Sequence, residues 1–397
     1  MNSPESFNAD IKRLSLGAAI AAAVGLAAVA AGVLLDGPAQ FFQSYLQGYL
    51  YWLAVPSGCL FLLMINQIVI GEWAHVTRRI SEAAVRTLPL MAVLFIPIVL
   101  GMGHLYDAWL NPSGYYEEVI SGKNLYLNKN GFLIRAFIYF ALWIGMGTAL
   151  VAWSRRQDET GDSTLSIPMR RLSAIGIVVF ILSTTAASWD WTMSLEPQWF
   201  SSLWGPMFFI AQGLAAFIFV VLVLSRIVRY EPLASTVKPA HFHNLGNFVF
   251  AFVILWMYMN FSQFIIIWSG NIPEETIWYH QRMSTGWKAL AVFLTLFHFF
   301  IPFLVLLSRY SKLRHRFLAR VVGVLFVLRF ADYYWIVGPS FHETLNIRLL
   351  DVAIPVALGG LFMFAFLRNL RGPSLLALHD PRFNEADVPL NPAVDHG

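Results

Sequence analysis

Long, uninterrupted apolar runs constrain this chain more than any other feature of its sequence. Each run holds about 20 mainly apolar residues, the length that an α-helix needs to cross the hydrocarbon core of a bilayer. Of the 397 residues, 57% are hydrophobic and 13% are charged, whereas a soluble domain carries about 25% charged residues. A water-exposed surface could not hold these runs, so the sequence predicts an integral membrane protein.

Ten segments have the length and composition of a membrane span, with edges defined to about three residues. They are 16–35, 46–70, 88–104, 132–153, 171–190, 203–226, 246–268, 286–308, 318–338 and 349–368. The runs are continuous rather than alternating, which favours helices over barrel strands, and a helix satisfies its own backbone hydrogen bonds in lipid. We therefore predict an all-α integral membrane fold, with a transmembrane domain over 1–370 and a cytoplasmic tail over 371–397.

Lysine and arginine residues are distributed unequally between alternate connections. Twenty lie in one set of connections and termini, six lie in the other set, and Arg329 lies inside a span. Because cytoplasmic loops carry an excess of these residues, we predict that the first set and both termini are cytoplasmic. Nucleic-acid binding is not expected from the net charge of +4, because the basic residues form short clusters between apolar runs rather than one basic face.

The sequence offers few ligands for a redox centre. Its single cysteine, Cys59, lies within an apolar run, so the chain cannot supply a disulfide, an iron–sulfur ligand set or a covalent haem attachment site. A haem held by two histidines needs both at matched depth on facing helices, and the predicted spans place no two histidines in this way. We expect no haem, iron–sulfur cluster or metal ion to be bound directly by this chain.

Ionisable residues inside the eighth and ninth predicted spans are the first candidates for function. Each costs roughly 2.5–3.5 kcal/mol to place at mid-bilayer depth, so each needs a reason to be there. Arg329, Asp332 and Tyr333 share one face of the ninth span because they are three and four residues apart. His298 lies near the middle of the eighth span, at a depth similar to that of Arg329.

Two interpretations of these four residues stay open at the level of the sequence. In the first they form a proton relay, in which His298 and Asp332 exchange protons while Arg329 adjusts their proton affinities. In the second, Arg329 and Asp332 form an inert ion pair that holds helices together, and His298 is a packed core residue.

Two further polar groups lie near the predicted ends of spans. At the outer ends are His104, Asp107, Asp190 and Asp351. This outer group is predicted to form a half-channel or to hold the headgroup of a quinone, and the alternative is a set of solvated loop residues. At the inner end of the second span are Asn66, Gln67, Glu72 and His75. This inner group is predicted to admit protons from the cytoplasm, and a solvated helix end is the alternative.

Several long motifs resemble one protein family. They are DWTMSLEPQWF at 190–200, three stretches at 242–248, 258–264 and 267–275, and FADYYW at 330–335. Together with the ten predicted spans they resemble the F subunit of alternative complex III, the bacterial quinol:cytochrome c or quinol:electron-acceptor oxidoreductase. The likeness covers essentially the whole chain.

The resemblance implies an architecture and a set of partners. The family is distantly like the membrane subunits of polysulfide and nitrite reductases, which implies two four-helix bundles made of spans two to five and six to nine, flanked by spans one and ten. It implies a place in the bacterial cytoplasmic membrane, surrounded by lipids, beside a sister membrane subunit that oxidises quinol and beside haem c and iron–sulfur subunits. The F subunit is thought to support proton translocation, and no established quinone ligand of the family maps onto a residue of this chain.

Three functions are therefore expected to compete. The first is an energy-coupling subunit, without a catalytic cofactor of its own, in a quinol-oxidising respiratory complex. The second is a structural membrane anchor whose buried charges only pack helices together. The third is a secondary transporter, for which Pro97 and Pro302 are weak hints because transporter folds pair broken helices in two halves.

Overall fold

The computed structural model describes residues 4–69, 71–283, 286–372, 374–377 and 379–380. Within these ranges the chain forms helices and no β-strand. Nine helical segments of the described chain are long and apolar enough to cross a membrane. The prediction of an all-α, multi-pass membrane protein is thereby confirmed. Most of the predicted tail, residues 381–397, lies outside the described residues.

The helices of the first half of the chain include two very long elements and several single turns. They are α1 (Pro4–Ile68), α2 (Glu72–Val85), α3 (Leu88–Val93), α4 (Ile96–Leu100), α5 (Met102–Leu105), α6 (Asp107–Leu110), α7 (Tyr115–Ser121), α8 (Lys129–Thr160), a 3-10 turn (Ser163–Leu165), α9 (Ser166–Trp191) and a 3-10 turn (Met193–Leu195).

The second half continues with long helices joined by short ones. They are α10 (Trp204–Ile227), α11 (Leu233–Thr236), α12 (Pro239–Gly270), α13 (Pro273–Arg282), α14 (Trp287–Leu294), a π-helical turn (Thr295–Phe300), α15 (Ile301–Leu307), α16 (Arg309–Leu313), α17 (His315–Val337), a 3-10 turn (Gly338–Ser340) and α18 (Leu349–Leu370).

The backbone of α1 is interrupted at Gly37. The element contains 65 residues, which would span about 100 Å at 1.5 Å per residue, far more than a bilayer needs. At Gly37 the backbone takes φ 83° and ψ 172°, a conformation that residues with a Cβ atom rarely adopt. Gly37 therefore divides α1 into an N-terminal arm (residues 4–36) and a central arm (residues 38–68).

The central arm lies at the middle of the helical assembly. Residues 44–60 are all buried, and a helix that is apolar and buried on every side belongs in a core rather than at a surface. Tyr49 donates from its hydroxyl to the carbonyl of Met91 over 2.9 Å. Trp52 donates from Nε1 to the carbonyl of Pro355 over 2.8 Å. These bonds join the central arm to α3 and α18.

The N-terminal arm packs closely along α18 through small residues. A Cβ atom added to Gly25 would lie 2.6 Å from the backbone nitrogen of Ala357. A Cβ atom added to Gly32 would lie 2.6 Å from a side-chain carbon of Leu350. Small residues let helix backbones approach each other in membranes, where packing rather than water exclusion drives association. The first and last long helices of the described chain are thus direct neighbours.

The helical run that contains the third predicted span begins earlier than the sequence predicts. The predicted span is 88–104, whereas the structure has a run of helices over Glu72–Leu100. Residues 72–86 carry several charges, which hydropathy assigns to a loop. In the structure Arg78, Arg79 and Glu82 of α2 are buried, and their mutual ion pairing offsets the energetic cost of that burial.

Candidate functional site

An ion pair on α17 forms the centre of the candidate site. Arg329 and Asp332 lie one turn apart on this helix, and Nη1 of Arg329 donates to Oδ2 of Asp332 over 2.7 Å. Arg329 is 0% exposed and Asp332 is 2% exposed. The one-face arrangement predicted from their spacing is therefore present, and both side chains lie in the interior of the protein.

Trp256 on α12 connects this ion pair to His298. Its Nε1 donates to Oδ2 of Asp332 over 3.4 Å, a long and weak hydrogen bond. Its ring centroid lies 4.2 Å from that of His298. Sequence reasoning missed Trp256, because a tryptophan within an apolar run is indistinguishable from an ordinary core or membrane-interface residue.

His298 lies in the π-helical turn Thr295–Phe300, which packs against α12 and α17. A π-helical turn inserts one extra residue per turn and is frequent at functional sites. The ring of His298 is fully buried, and neither nitrogen has a hydrogen-bond partner among the described residues. A polar group buried in this way costs about 1–3 kcal/mol, so a purely structural role gives little reason for a histidine here.

Tyr333 and Arg329 retain unused hydrogen-bonding capacity. The hydroxyl of Tyr333 is buried and forms no hydrogen bond of standard geometry within the described chain, although it lies close to the guanidinium of Arg329. The guanidinium carbon of Arg329 lies 5.2 Å from the centroid of the Tyr333 ring. Nε and Nη2 of Arg329 also lack partners in the described ranges. The ion pair with Asp332 therefore uses only part of what the arginine can donate.

Two cavities meet at Asp332. One has a volume of about 20 Å³ and is lined by Asp332, Tyr333, Trp256 and Asn260 among others, which is enough room for a single water molecule. The other is a cleft of about 470 Å³ between α12, α14 and α17, with Asp332 and Asn260 again in its lining. Its lining also includes Phe261, which is 53% exposed. The cleft therefore opens at the apolar lateral surface.

The structure separates the residues of the outer group. His104 is exposed and stacks on Phe42, with ring centroids 5.2 Å apart. Asp107 is also exposed and accepts a hydrogen bond from Asn111 over 2.8 Å. Asp190, in contrast, is fully buried. We find no contact that joins these residues in the described chain.

The two buried members of the outer group each belong to a polar cluster of their own. Asp190 accepts two hydrogen bonds of 2.8 Å, from Nη2 of Arg135 and from the hydroxyl of Tyr139. Asp351 accepts from the hydroxyl of Ser44 over 2.5 Å and from the backbone nitrogen of Arg348 over 2.9 Å. Asp351 thus caps α18 and ties it to the central arm.

The inner group is divided between two helices. Asn66 and Gln67 are buried near the end of α1, whereas Glu72 and His75 belong to the first turn of α2. Glu72 is exposed and pairs with His241, with 3.3 Å between the carboxylate and Nε2. The shared face predicted for Glu72 and His75 therefore lies at the start of α2 and not at the end of the second predicted span.

A buried charge network in the second half of α2 was missed from the sequence. Glu82 accepts from Arg79 over 2.6 Å, from Arg78 over 3.2 Å and from the hydroxyl of Ser154 over 2.5 Å. Arg79 also pairs with Asp158 on α8. The arginines were counted as loop charges, and only their three- and four-residue spacing from Glu82 signals helical pairing.

A second missed pair lies between spans on the opposite side of the protein. Nη1 of Arg282 donates to Oε1 of Glu196 over 3.0 Å, and the guanidinium lies 3.6 Å from the ring centroid of Trp278. Burial lowers the pKa of Arg282, and the carboxylate of Glu196 opposes that shift. This pair ties α13 to the connection between α9 and α10. Nothing in the local sequence distinguishes these residues from solvated loop charges.

Comparison with known proteins leaves the family open. The sequence matches no family model and no curated protein. The resemblance to the F subunit of alternative complex III thus stays a prediction. The fold and the site define a multi-pass α-helical membrane protein with a buried cluster of ionisable residues. Among the described residues, no group of three or more His, Cys, Asp or Glu side chains is arranged to hold a metal ion.

Proposed function

We propose that this chain is an energy-coupling membrane subunit of a bacterial quinol-oxidising respiratory complex of the alternative complex III type. In this proposal it lies in the cytoplasmic membrane and carries no redox centre. Its contribution is to move protons through His298, Arg329, Asp332 and Tyr333. Quinol is oxidised by a sister membrane subunit, and haem c and iron–sulfur subunits complete the complex.

One observation carries the proton role. The buried carboxylate of Asp332 borders both a cavity of about 20 Å³ and a larger cleft. Trp256, which donates to Asp332, packs against His298, a histidine with no hydrogen-bond partner among the described residues. Proton transfer needs groups that can change protonation state and room for a bridging water molecule. Both requirements are met around Asp332.

The chemistry of the cluster suits proton exchange. Arg329 favours the ionised form of Asp332, whereas the apolar surroundings favour its neutral form. These opposed effects allow a small change nearby to alter the protonation of the carboxylate. When Asp332 takes a proton, the bond from Arg329 weakens and the uncompensated arginine favours release of that proton. His298 and Tyr333 supply the neighbouring groups that pass protons on.

The proposed topology has ten spans with both termini in the cytoplasm. The non-helical backbone of Gly37 supports it, because each arm of α1 is then long enough to form one span. The excess of lysine and arginine on one side supports the orientation. The pairing of the N-terminal arm with α18 suits the expected arrangement, in which spans one and ten flank two four-helix bundles.

Proton pumping by the reconstituted complex tests this function. We expect Asp332→Asn and His298→Ala to permit assembly and quinol oxidation but to lower the number of protons moved per electron. The matched control is Asp162→Asn, because Asp162 is exposed in the connection between α8 and α9 and belongs to none of the candidate groups. Equal proton-to-electron ratios in all variants, at equal electron flux, would reject these residues as the relay.

A structural anchor is the second candidate function. The bond of 2.7 Å between Arg329 and Asp332 favours it, because a close ion pair within one helix needs no exchange of protons to be useful. In that case Asp332→Asn would lower the stability of the subunit while leaving the proton-to-electron ratio of the surviving complex unchanged. The same pumping experiment therefore separates the two candidates.

A further inference from the structure

Four arginines surround a cavity on the arginine-rich side of the protein. The cavity has a volume of about 590 Å³, and its lining includes Arg86, Arg155, Arg368 and Arg371. These residues come from three parts of the chain: the end of α2, the last turns of α8, and the end of α18. None of the four forms an ion pair with another described residue. Positive charge from distant segments is thus gathered at one place.

The acidic residues of the same cavity do not neutralise it. Asp158 lines the cavity but is already paired with Arg79. Glu159 is the other acid in the lining, and it is exposed. The arginines therefore exceed the acids that remain available. Guanidinium groups gathered in this way suit the oxygens of a phosphate group, which they bind through paired hydrogen bonds.

An apolar groove continues from this cavity along α8. It has a volume of about 330 Å³ and shares Arg86 and Arg155 with the cavity. Its other walls include Pro89 of α3 and Ile144 and Val151 of α8. The groove is therefore charged at one end and apolar along its length.

The length of the groove matches one leaflet of a bilayer. Ile144 and Arg155 are eleven residues apart on one continuous helix, which corresponds to about 16 Å at 1.5 Å per residue. Half of a hydrocarbon core of about 30 Å is about 15 Å. A molecule with its charged head among the arginines would therefore extend an apolar chain to the middle of the membrane.

We propose that the cavity and the groove together form a binding site for an anionic phospholipid. The phosphodiester lies among the four arginines, and an acyl chain lies between α3 and α8. Basic pockets between helices at the cytoplasmic surface suit the headgroups of anionic lipids. The site is separate from the cluster around Asp332, so it stands whether or not that cluster moves protons.

Lipid binding to the purified, delipidated protein tests the proposal. The probes are dioleoylphosphatidylglycerol, dioleoylphosphatidylcholine and inorganic phosphate, and native mass spectrometry measures the bound lipid. We expect phosphatidylglycerol to bind more tightly than phosphatidylcholine. The double variant Arg86→Gln/Arg155→Gln should bind phosphatidylglycerol roughly thirtyfold more weakly, since each arginine near the headgroup contributes about fivefold.

The matched control is the double variant Arg170→Gln/Arg171→Gln, which removes two exposed arginines near the start of α9, on the same arginine-rich side of the protein. It should retain the affinity of the unmodified chain. Arg371→Gln is a milder third variant, because its side chain has no hydrogen bond to a described residue. It should weaken binding severalfold and serves if the double variant at Arg86 and Arg155 does not fold.

The groove is tested separately with Ala152→Trp, which fills it at an exposed position of its lining. This variant should also weaken the binding of phosphatidylglycerol. Equal affinity for the two lipids, or equal loss in both arginine pairs, would overturn the proposal. Full competition by millimolar inorganic phosphate, with no effect of Ala152→Trp, would identify a site for a free anion and would also overturn it.

Discussion

The burial of Asp332 and Arg329 is energetically unfavourable, so their placement needs an explanation. Removing a carboxylate and a guanidinium from water costs several kcal/mol for each group. Their mutual attraction offsets that cost only if the geometry of the pair is good. The bond of 2.7 Å supplies the attraction. The partnerless nitrogens of Arg329 and His298 leave part of the cost uncompensated by the described protein. Such a cluster is better explained by chemistry than by stability.

Breaking this ion pair should cost more than removing it. We expect Arg329→Leu to destabilise the protein by about 3–5 kcal/mol, because Asp332 is left as an uncompensated buried charge or must take up a proton. The double variant Arg329→Leu/Asp332→Leu should recover much of that loss. Reversible unfolding in mixed micelles measures both. If the double variant is as unstable as the sum of the two single variants, the residues are not coupled.

The residues of the site were only partly accessible from the sequence. The spacing of Arg329 and Asp332 placed them on one face because helical periodicity is a local property. Trp256 could not be identified, since its contacts with Asp332 and His298 depend on how α12 packs against α17. The separate environments of Asp190 and Asp351 depend on tertiary contacts in the same way. Local spacing predicts neighbours on a helix, and it does not predict neighbours between helices.

At the scale of single elements, one residue, Gly37, interrupts α1 and separates it into two helical arms. Hydropathy identified two spans, 16–35 and 46–70, and the structure joins them in one element interrupted at Gly37. The two ranges 318–338 and 349–368 also agree closely with α17 and α18. Hydropathy did not predict α2 because the helix carries several charged residues. Its arginines are paired and buried in the structure. Hydropathy fails where ion pairing replaces apolarity.

The break at Gly37 should depend on glycine. Its φ of 83° with ψ of 172° is strained for any residue with a Cβ atom, so Gly37→Ala should destabilise the protein by roughly 1–3 kcal/mol. Gly17→Ala is the matched control, because Gly17 lies within the helical part of the N-terminal arm and a Cβ there meets no atom within 4 Å. Thermal unfolding compares them. Equal midpoints for the two variants would mean that the break does not require glycine.

On the scale of the whole molecule, paired charged residues lie at two opposite ends, and an apolar core lies between them. One end holds the network of Arg78, Arg79 and Glu82 and the cavity lined by four arginines. The other end holds the pair Arg282 and Glu196. Between them, buried aromatic and aliphatic side chains surround the central arm. The pair Arg329 and Asp332 lies on α17, with Asp332 one turn before Ile336, whose carbonyl accepts from Arg282 over 2.7 Å.

The predicted orientation can be measured with cysteine labelling. We expect Glu117→Cys, on the predicted outer side, to react with a membrane-impermeant maleimide in intact spheroplasts. Arg316→Cys, on the predicted cytoplasmic side, should react only after the membrane is permeabilised. Both positions are exposed, and the native Cys59 is buried. Labelling of Arg316→Cys in intact spheroplasts would reverse the proposed topology.

Infrared difference spectroscopy of the assembled complex during quinol oxidation tests the central claim most directly. If Asp332 takes up and releases a proton, turnover should produce a carbonyl-stretch signal of a protonated carboxylic acid. That signal should disappear in Asp332→Asn and persist in the control variant Asp162→Asn. An identical set of carboxylic acid signals in the unmodified complex and in Asp332→Asn would contradict the account, because Asp332 would then keep one protonation state throughout.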